Sequence, residues 1–371
     1  MTADDDDPGK AGIEEWRVST YPPGGESRLL RSIRVQGQVC AGMGSPMYGD
    51  LLTRVADNVE TDGVFATILA GHDDASGRMA LALRLLGGLH RLALDGRVAA
   101  LRQWYPSTGG QWNAEAAWPD IVLAATEHAD YLRDALDQPP QTNEVGRSAA
   151  LIGGLLWLGQ RFDMPIRLFE IGCSAGLNLR ADHYRYRYPG GDWGPAGSPV
   201  TVDDAWRGQL PPVAELQIVE RQGFDIAPLD ATSSDSELTL LSYVWPDQQA
   251  RLDRLRGAIE IARRIPAQLH RHNAVGAVAD LNVADGTLTV LWHSIMWQYL
   301  SASEQETVAA EIDALGARAT PDAPFAHLTL EPDQRTPDAP VEFAVRARSW
   351  PGGEDRWLAV CSPHGPPVTW E

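Results

Sequence analysis

The segment Arg167-Leu168-Phe169-Glu170-Ile171-Gly172-Cys173-Ser174-Ala175-Gly176-Leu177-Asn178 reads as a buried strand that stops at a glycine-rich turn and runs straight into a helix. Pro165 precedes it, and Leu168, Phe169 and Ile171 supply the apolar run of a strand covered on both faces. Gly172 and Gly176 let the backbone turn tightly and approach a ligand, which a Cβ would prevent. The amides at the following helix start are expected to face that ligand as free donors. The spacing is Gly-x-x-x-Gly with an acid two residues before the first glycine, not the dinucleotide fingerprint Gly-x-Gly-x-x-Gly. A tight strand-to-helix turn with no ligand is the plainer alternative.

This Glu-x-Gly-x-x-x-Gly pattern resembles the first motif of class I S-adenosylmethionine-dependent methyltransferases. The resemblance implies S-adenosyl-L-methionine as cofactor, its methionine part above the glycine loop. That part carries no phosphate, which agrees with a loop lacking a P-loop lysine; the sole lysine is the distant Lys10.

At 371 residues the chain can hold one large domain or two modest ones. A formal charge of −19 argues against a nucleic-acid partner, because neutralising phosphates takes clustered Lys and Arg. Arg180, Arg185 and Arg187 are the best candidates for a local basic patch. The expected partner is a small-molecule acceptor. No run approaches about 18 apolar residues, and the acidic N-terminus lacks the features of a signal peptide, so no membrane partner and a cytoplasmic location are expected. Cys40, Cys173 and Cys361 form neither a disulfide framework nor a Cys-x-x-Cys metal site, and Cys173 is expected to be a small filler inside the loop.

Residues 1–25 read as a disordered acidic tail and 26–162 as a helical N-terminal cap, with apolar residues at i, i+3 and i+4. From 163 to 371 strands alternate with helices, the pattern of an α/β, Rossmann-like sheet. Strands are expected at Ile166–Ile171, Glu215–Glu220, Gly276–Ala279 and Leu288–Trp292, then at Phe325–Glu331, Val341–Arg348 and Trp357–Cys361. The last two are joined by Pro351-Gly352-Gly353 as an antiparallel β-hairpin, the ending of a class I methyltransferase sheet. Helices are expected near Leu177–Tyr184, at Pro246–Arg264, and at Ser303–Leu315 with Ser303 and Glu306 in capping-box spacing. Pro189–Pro199 reads as an irregular insertion.

Ligands of a doubly wound sheet bind at the carboxyl ends of its strands. Glu170 ends the first predicted strand, Asp225 follows the second and Asp280 the third. In class I methyltransferases the positions after the second and third strands hold the ribose hydroxyls and the adenine amino group, tasks suited to carboxylates. The resemblance therefore implies a cofactor site of Glu170, Gly172, Ser174, Gly176, Asn178, Asp225 and Asp280. A turn or N-cap carboxylate is the alternative for each Asp. His293 and Ser294 follow the fourth strand, where an imidazole could take a proton from an O- or N-nucleophile.

The whole chain, from about Gly44 to His364, resembles the bacterial proteins grouped as domain of unknown function 2332. The resemblance rests on Gly44-Ser45-Pro46-Met47-Tyr48, Gln141–Arg147, Glu170–Asn178, Asp182-x-Tyr184-x-Tyr186, Gly197-Ser198-Pro199, Pro228-Leu229-Asp230, Val244-Trp245-Pro246-Asp247-Gln248 and His293-Ser294. It implies that the Asn143–Arg147 and Trp245–Gln248 segments share a site. His293, Glu144 and Arg147 are then expected as catalytic residues, and Asn143, Trp245, Asp247 and Ser294 as substrate contacts. The expected reaction is methyl transfer to O or N of a small molecule. The rivals are a non-methyl transferase using the same cofactor and a non-catalytic binding or interaction protein on this scaffold. NAD(P)-dependent redox chemistry is disfavoured by the loop spacing.

Overall fold

A computed structural model describes residues 27–72, 80–138, 140–210 and 213–371. The acidic tail expected at 1–25 lies outside the described residues. The chain divides into two compact units: one runs up to Thr142 and takes in Glu237–Leu252, the other holds Asn143–Ser236 and Asp253–Glu371.

The first unit is helical: α1 Arg28–Gly42, α2 Pro46–Glu60, α3 Val64–Ile68, α4 Leu81–Leu94, α5 Ala114–Glu127 and α6 Ala129–Leu136. Apolar side chains at helical spacing, such as Leu51, Leu52, Val55 and Ala56 on α2 and Leu85, Leu86, Leu89 and Leu92 on α4, make one core. His90 is wholly buried there, its Nδ1 3.1 Å from the Ser242 carbonyl and its Nε2 2.7 Å from the Ser107 hydroxyl. Burial pushes its pKa from 6.5 down to about 4. The unfolded chain therefore binds a proton first as pH falls, and the stability His90 contributes is lost between pH 6.5 and 4. In urea melts, His90→Asn is expected to flatten that acid limb by at most about 3 kcal/mol.

The second unit begins with α7, Ser148–Phe162, and then runs through β1 Ile166–Ile171, β2 Arg185–Tyr188, β3 Gly191–Trp193, β4 Thr201–Val202, β5 Trp206–Gly208 and β6 Ile218–Asp225. Two helices, α8 Ser234–Ser242 and α9 Gln249–Ala262, carry the chain into the helical unit and back. The unit continues with β7 Gln268–Arg271, α10 Ala274–Ala279, β8 Leu288–Ser294, α11 Ala302–Arg318, β9 Phe325–Asp333, β10 Glu342–Trp350, β11 Glu354–Ser362 and β12 Gly365–Trp370.

The main sheet has the order β5-β12-β11-β10-β9-β8-β1-β6-β7. Strands β7, β6, β1, β8 and β9 are parallel, which reverses direction of growth at β1 and makes the α/β part doubly wound. From β9 onward β10, β11 and β12 fold back as an antiparallel meander. On one face α7 packs closely enough that a Cβ on Gly154 would lie 2.5 Å from Leu328. On the other, Val308, Ile312 and Leu315 of α11 and Ala277 and Val278 of α10 cover Phe169, Ile171, Leu291 and Phe325.

Several expected elements shift. The third strand is Gln268–Arg271, and Gly276–Ala279 is helical instead. Ala274, Ala277 and Val278 bury at i, i+3 and i+4, and the Asn273 side chain accepts from the Gly276 amide at 2.8 Å as an N-cap. A six-residue apolar run cannot distinguish the two periods, and the true strand is a polar edge carrying one apolar residue, Leu269. The second strand lies at Ile218–Asp225. The capping box is real but uses Ser301 and Glu304. Leu177–His183 is a 3-10 helix kinked at Arg180, and a small sheet, β3-β2-β4, borders and enters the insertion. The fourth meander strand, β12, follows the expected hairpin.

Candidate functional site

The glycine turn joins β1 to the 3-10 helix with three left-handed residues at alternate positions: Gly172 at φ 68°, Ser174 at 51° and Gly176 at 61°. The two glycines adopt this region without penalty, whereas Ser174 needs support. That support is Asp225 at the end of β6. Its Oδ2 accepts from the Ser174 amide at 2.8 Å, and its Oδ1 from the Ala227 amide at 2.9 Å. The Gly172 and Cys173 amides both donate to the Phe224 carbonyl, Gly176 to the Cys173 carbonyl, and Leu177 to the Asn143 side chain at 2.9 Å. The amides of Gly172, Cys173, Ser174, Gly176 and Leu177 are thus engaged within the fold. Cys173 is buried and packs where a Cβ on Gly223 would stand, 2.6 Å from its sulfur, so it fills space between β1 and β6.

Glu170 is the unusual group. It is buried on the α7 face, directly across from Trp292 on β8, and its Oε2 has no hydrogen-bond partner; neither has the Trp292 indole N–H. Burial, helped by the nearby Asp225, pushes the carboxyl from 4.5 up to about 8 against the pull of Arg180, of the nearby Trp292 indole N–H and of Arg147. Arg180 lies beneath the loop, donating to the carbonyls of Ala175, Gly176 and Ile265. It forms no basic patch with Arg185 and Arg187, which pair with Asp192 and Asp203. A cleft of about 560 Å³ opens beside Ala175 and Arg180, walled by Pro228–Thr232, Ala262–Arg264 and Leu269.

The Asn143–Arg147 segment meets this turn. Asn143 caps Leu177, the Glu144 carbonyl accepts from the Asn178 side chain at 3.3 Å, and the Glu144 carboxylate accepts from the Gly146 amide at 2.9 Å. Arg147 donates to the carbonyls of Pro363 at 2.8 Å and Ser294 at 3.4 Å. The segment thereby ties the ends of β1 and β8 to the β11–β12 turn.

Four expected site residues have other settings. Asp280 ends α10, not a strand; its side chain is 78% exposed and lies 3.6 Å from His272. Trp245 and Asp247 belong to the helical unit. There Asp247 accepts from the Ser45 hydroxyl at 2.6 Å and the Met47 amide at 3.1 Å, fastening the start of α2, while Trp245 is buried beneath the Arg251 guanidinium. His293 is the fourth. Side chains alternate along β8, so Trp292 shares the face of Glu170 while His293 turns to the α11 face. It stacks on Trp297 at 5.3 Å, lies 5.0 Å from His327 and approaches Glu331 through Nδ1 at 2.8 Å. The His293 ring thus lies on the α11 face, while Arg147 reaches the carbonyl of the neighbouring Ser294. Glu331 and His327 were not singled out from sequence. Glu331 lies near the carboxyl end of the fifth parallel strand, so the strand-end rule that selected Asp225 points to it as well.

The chain belongs to the family described as uncharacterized protein conserved in bacteria (DUF2332), whose model matches residues 31–370. No curated protein and no solved structure matches it. Among the described residues no helix is long and apolar enough to cross a membrane.

Proposed function

We propose that this family member is an S-adenosylmethionine-dependent methyltransferase acting on an oxygen or nitrogen of a small molecule. Glu170 carries the reading: a buried carboxyl with an unpartnered oxygen, two residues before a left-handed glycine turn on a doubly wound sheet. Such an atom calls for a donor, and the cofactor's methionine ammonium is one. Asp225 spends one lone pair of each oxygen on the Ser174 and Ala227 amides and keeps acceptor capacity for ribose hydroxyls. The cleft beside Ala175 falls within the roughly 300–1,000 Å³ of small-molecule sites. Bound there, the cofactor would supply an electrophilic methyl on a sulfonium, which the acceptor's O or N could attack, the C–S pair staying on sulfur and the acceptor's proton passing to water. This chain's part is to hold donor and acceptor in line.

Calorimetric titration with S-adenosylmethionine and S-adenosylhomocysteine tests this. Micromolar binding is expected, and Gly172→Asp should abolish it, because that position has φ 68° and a Cβ there lies 3.0 Å from Met296. An ammonium beside Glu170 draws its pKa down from about 8, so binding below that pH releases a proton and tightens as pH rises. Two buffers of different ionisation enthalpy read the release. No binding of either ligand by folded protein overturns the proposal. A non-catalytic binding protein is the second reading, favoured by the engagement of the loop amides; binding without transfer to any acceptor would select it.

A further inference from the structure

We propose that the cavity between α11 and strands β8 to β10 is a second ligand site, taking a small primary amine in its ammonium form. The cavity measures about 370 Å³, and its walls include His293, Trp297, Ala309, His327, Glu331 and Arg346. It lies on the α11 face of the sheet, opposite Glu170, and does not depend on the methyltransferase reading.

Three buried polar atoms among its walls lack a hydrogen-bond partner: His293 Nε2, His327 Nε2 and Glu331 Oε2. Their character follows from their neighbours. Glu331 Oε1 accepts from His293 Nδ1 at 2.8 Å, from the Met296 amide at 3.0 Å and from the Trp297 amide at 3.3 Å. Oε1 is thus an acceptor already supplied with three donors. His293 therefore gives its Nδ1 proton to Glu331, and in the neutral ring Nε2 is left as a bare lone pair. So Glu331 Oε2 and His293 Nε2 are two buried acceptors with no donor, and folded proteins seldom leave such groups unanswered. For these two atoms the missing partner is a donor; His327 Nε2 can serve as donor or acceptor according to its tautomer.

Charge decides which donor. Arg346 is held between Asp333 at 2.5 Å and Asp355 at 2.8 Å, and Arg348 pairs with Asp313 at 2.8 Å. With both guanidiniums paired to aspartates and the Glu331 carboxyl lining the cavity, the site disfavours an anion and favours a cation carrying N–H groups. Among the described residues no three His, Cys, Asp or Glu are arranged to hold a metal ion. The cleft at the glycine turn, by contrast, is lined by Arg180, Arg263 and Arg264.

The test is nuclear magnetic resonance of the full chain with ¹³C-labelled histidine. Methylammonium, 2-aminoethanol and benzylammonium are titrated at fixed pH and ionic strength, with tetramethylammonium as a cation lacking N–H. Saturable shifts are expected in the signals of His293 and His327, assigned by substitution, and none with tetramethylammonium. Glu331→Gln should weaken binding at least tenfold. Ala309→Trp, at a half-buried position on α11, should block the cavity to the same extent without touching the polar groups. Unmoved histidine signals with all three amines would overturn the proposal and leave ordered water as the occupant. Equal shifts with tetramethylammonium, or shifts unchanged by Ala309→Trp, would overturn it too.

Discussion

Glu170→Gln is expected to leave the protein about as stable as the parent near pH 5 and markedly more stable at pH 8. The folded-state carboxyl titrates at about 8 and the ordinary value is 4.5, so between these limits the native state holds a proton that the unfolded chain has released. Folding then takes up a proton, and the contribution of Glu170 is full below pH 4.5 and lost as pH rises to 8. Across three pH units the loss is at most about 4 kcal/mol. A neutral amide of the same shape has no such dependence. Urea unfolding at pH 5, 6, 7 and 8, followed by tryptophan fluorescence, should show the two proteins diverging steadily with pH. Parallel profiles would mean that Glu170 is ionised in the native protein. The same substitution removes the carboxylate proposed to meet the cofactor ammonium, so a gain in stability with a loss of cofactor affinity is expected. Such opposition marks a group retained for function and not for folding.

Gly153→Ala should be destabilising in the parent and harmless or stabilising beside Trp370→Leu. Alanine is the better helix former by about 1 kcal/mol, so α7 alone favours it. In the folded unit, however, a Cβ on Gly153 would fall 1.9 Å from the six-membered ring of Trp370 on β12. Trp370 is buried, and relieving the overlap forces helix and strand apart, at a cost of about 1–3 kcal/mol or more. Leucine at 370 removes the ring and with it the overlap. Melting of the two single variants and the double variant measures the coupling. An equal loss from Gly153→Ala in both backgrounds would place its cause outside this contact. The prediction concerns the site as well as stability, because α7 continues directly from the turn that holds Asn143, Glu144 and Arg147.

The site was legible where chemistry and backbone geometry coincide in a short stretch. Gly172 and Gly176 announce a left-handed turn, and Leu168, Phe169 and Ile171 announce a strand covered on both faces. Both readings need only neighbours in the chain. Asp280 misled because Ala274–Ala279 is apolar at nearly every position, so nothing local distinguishes a short helix from a strand. The polar edge strand Gln268–Arg271 offers no pattern at all. His293 was correctly located at the end of β8, but the face it occupies depends on which side chains of β1 and β9 lie beside it. The Gly44–Tyr48 and Val244–Gln248 motifs prove to be halves of one clamp, Ser45 and Met47 on Asp247, within the helical unit.

By itself the sequence determined the α/β class, the helical character of the N-terminal region, the position of the first strand and its glycine turn, and family membership. The structural features follow from local φ/ψ demands and from apolar periodicity, which are properties of adjacent residues, whereas family membership follows from motifs spread in order along the chain. The tertiary structure alone decided that the turn's amides are spent on Phe224, Asp225 and Asn143, that Glu170 is buried with a raised pKa, and that His293 joins His327 and Glu331 on the opposite face. Those facts arise from pairings between residues tens to hundreds of positions apart. Burial and hydrogen-bond supply are set by what the fold brings alongside, and no local pattern encodes them.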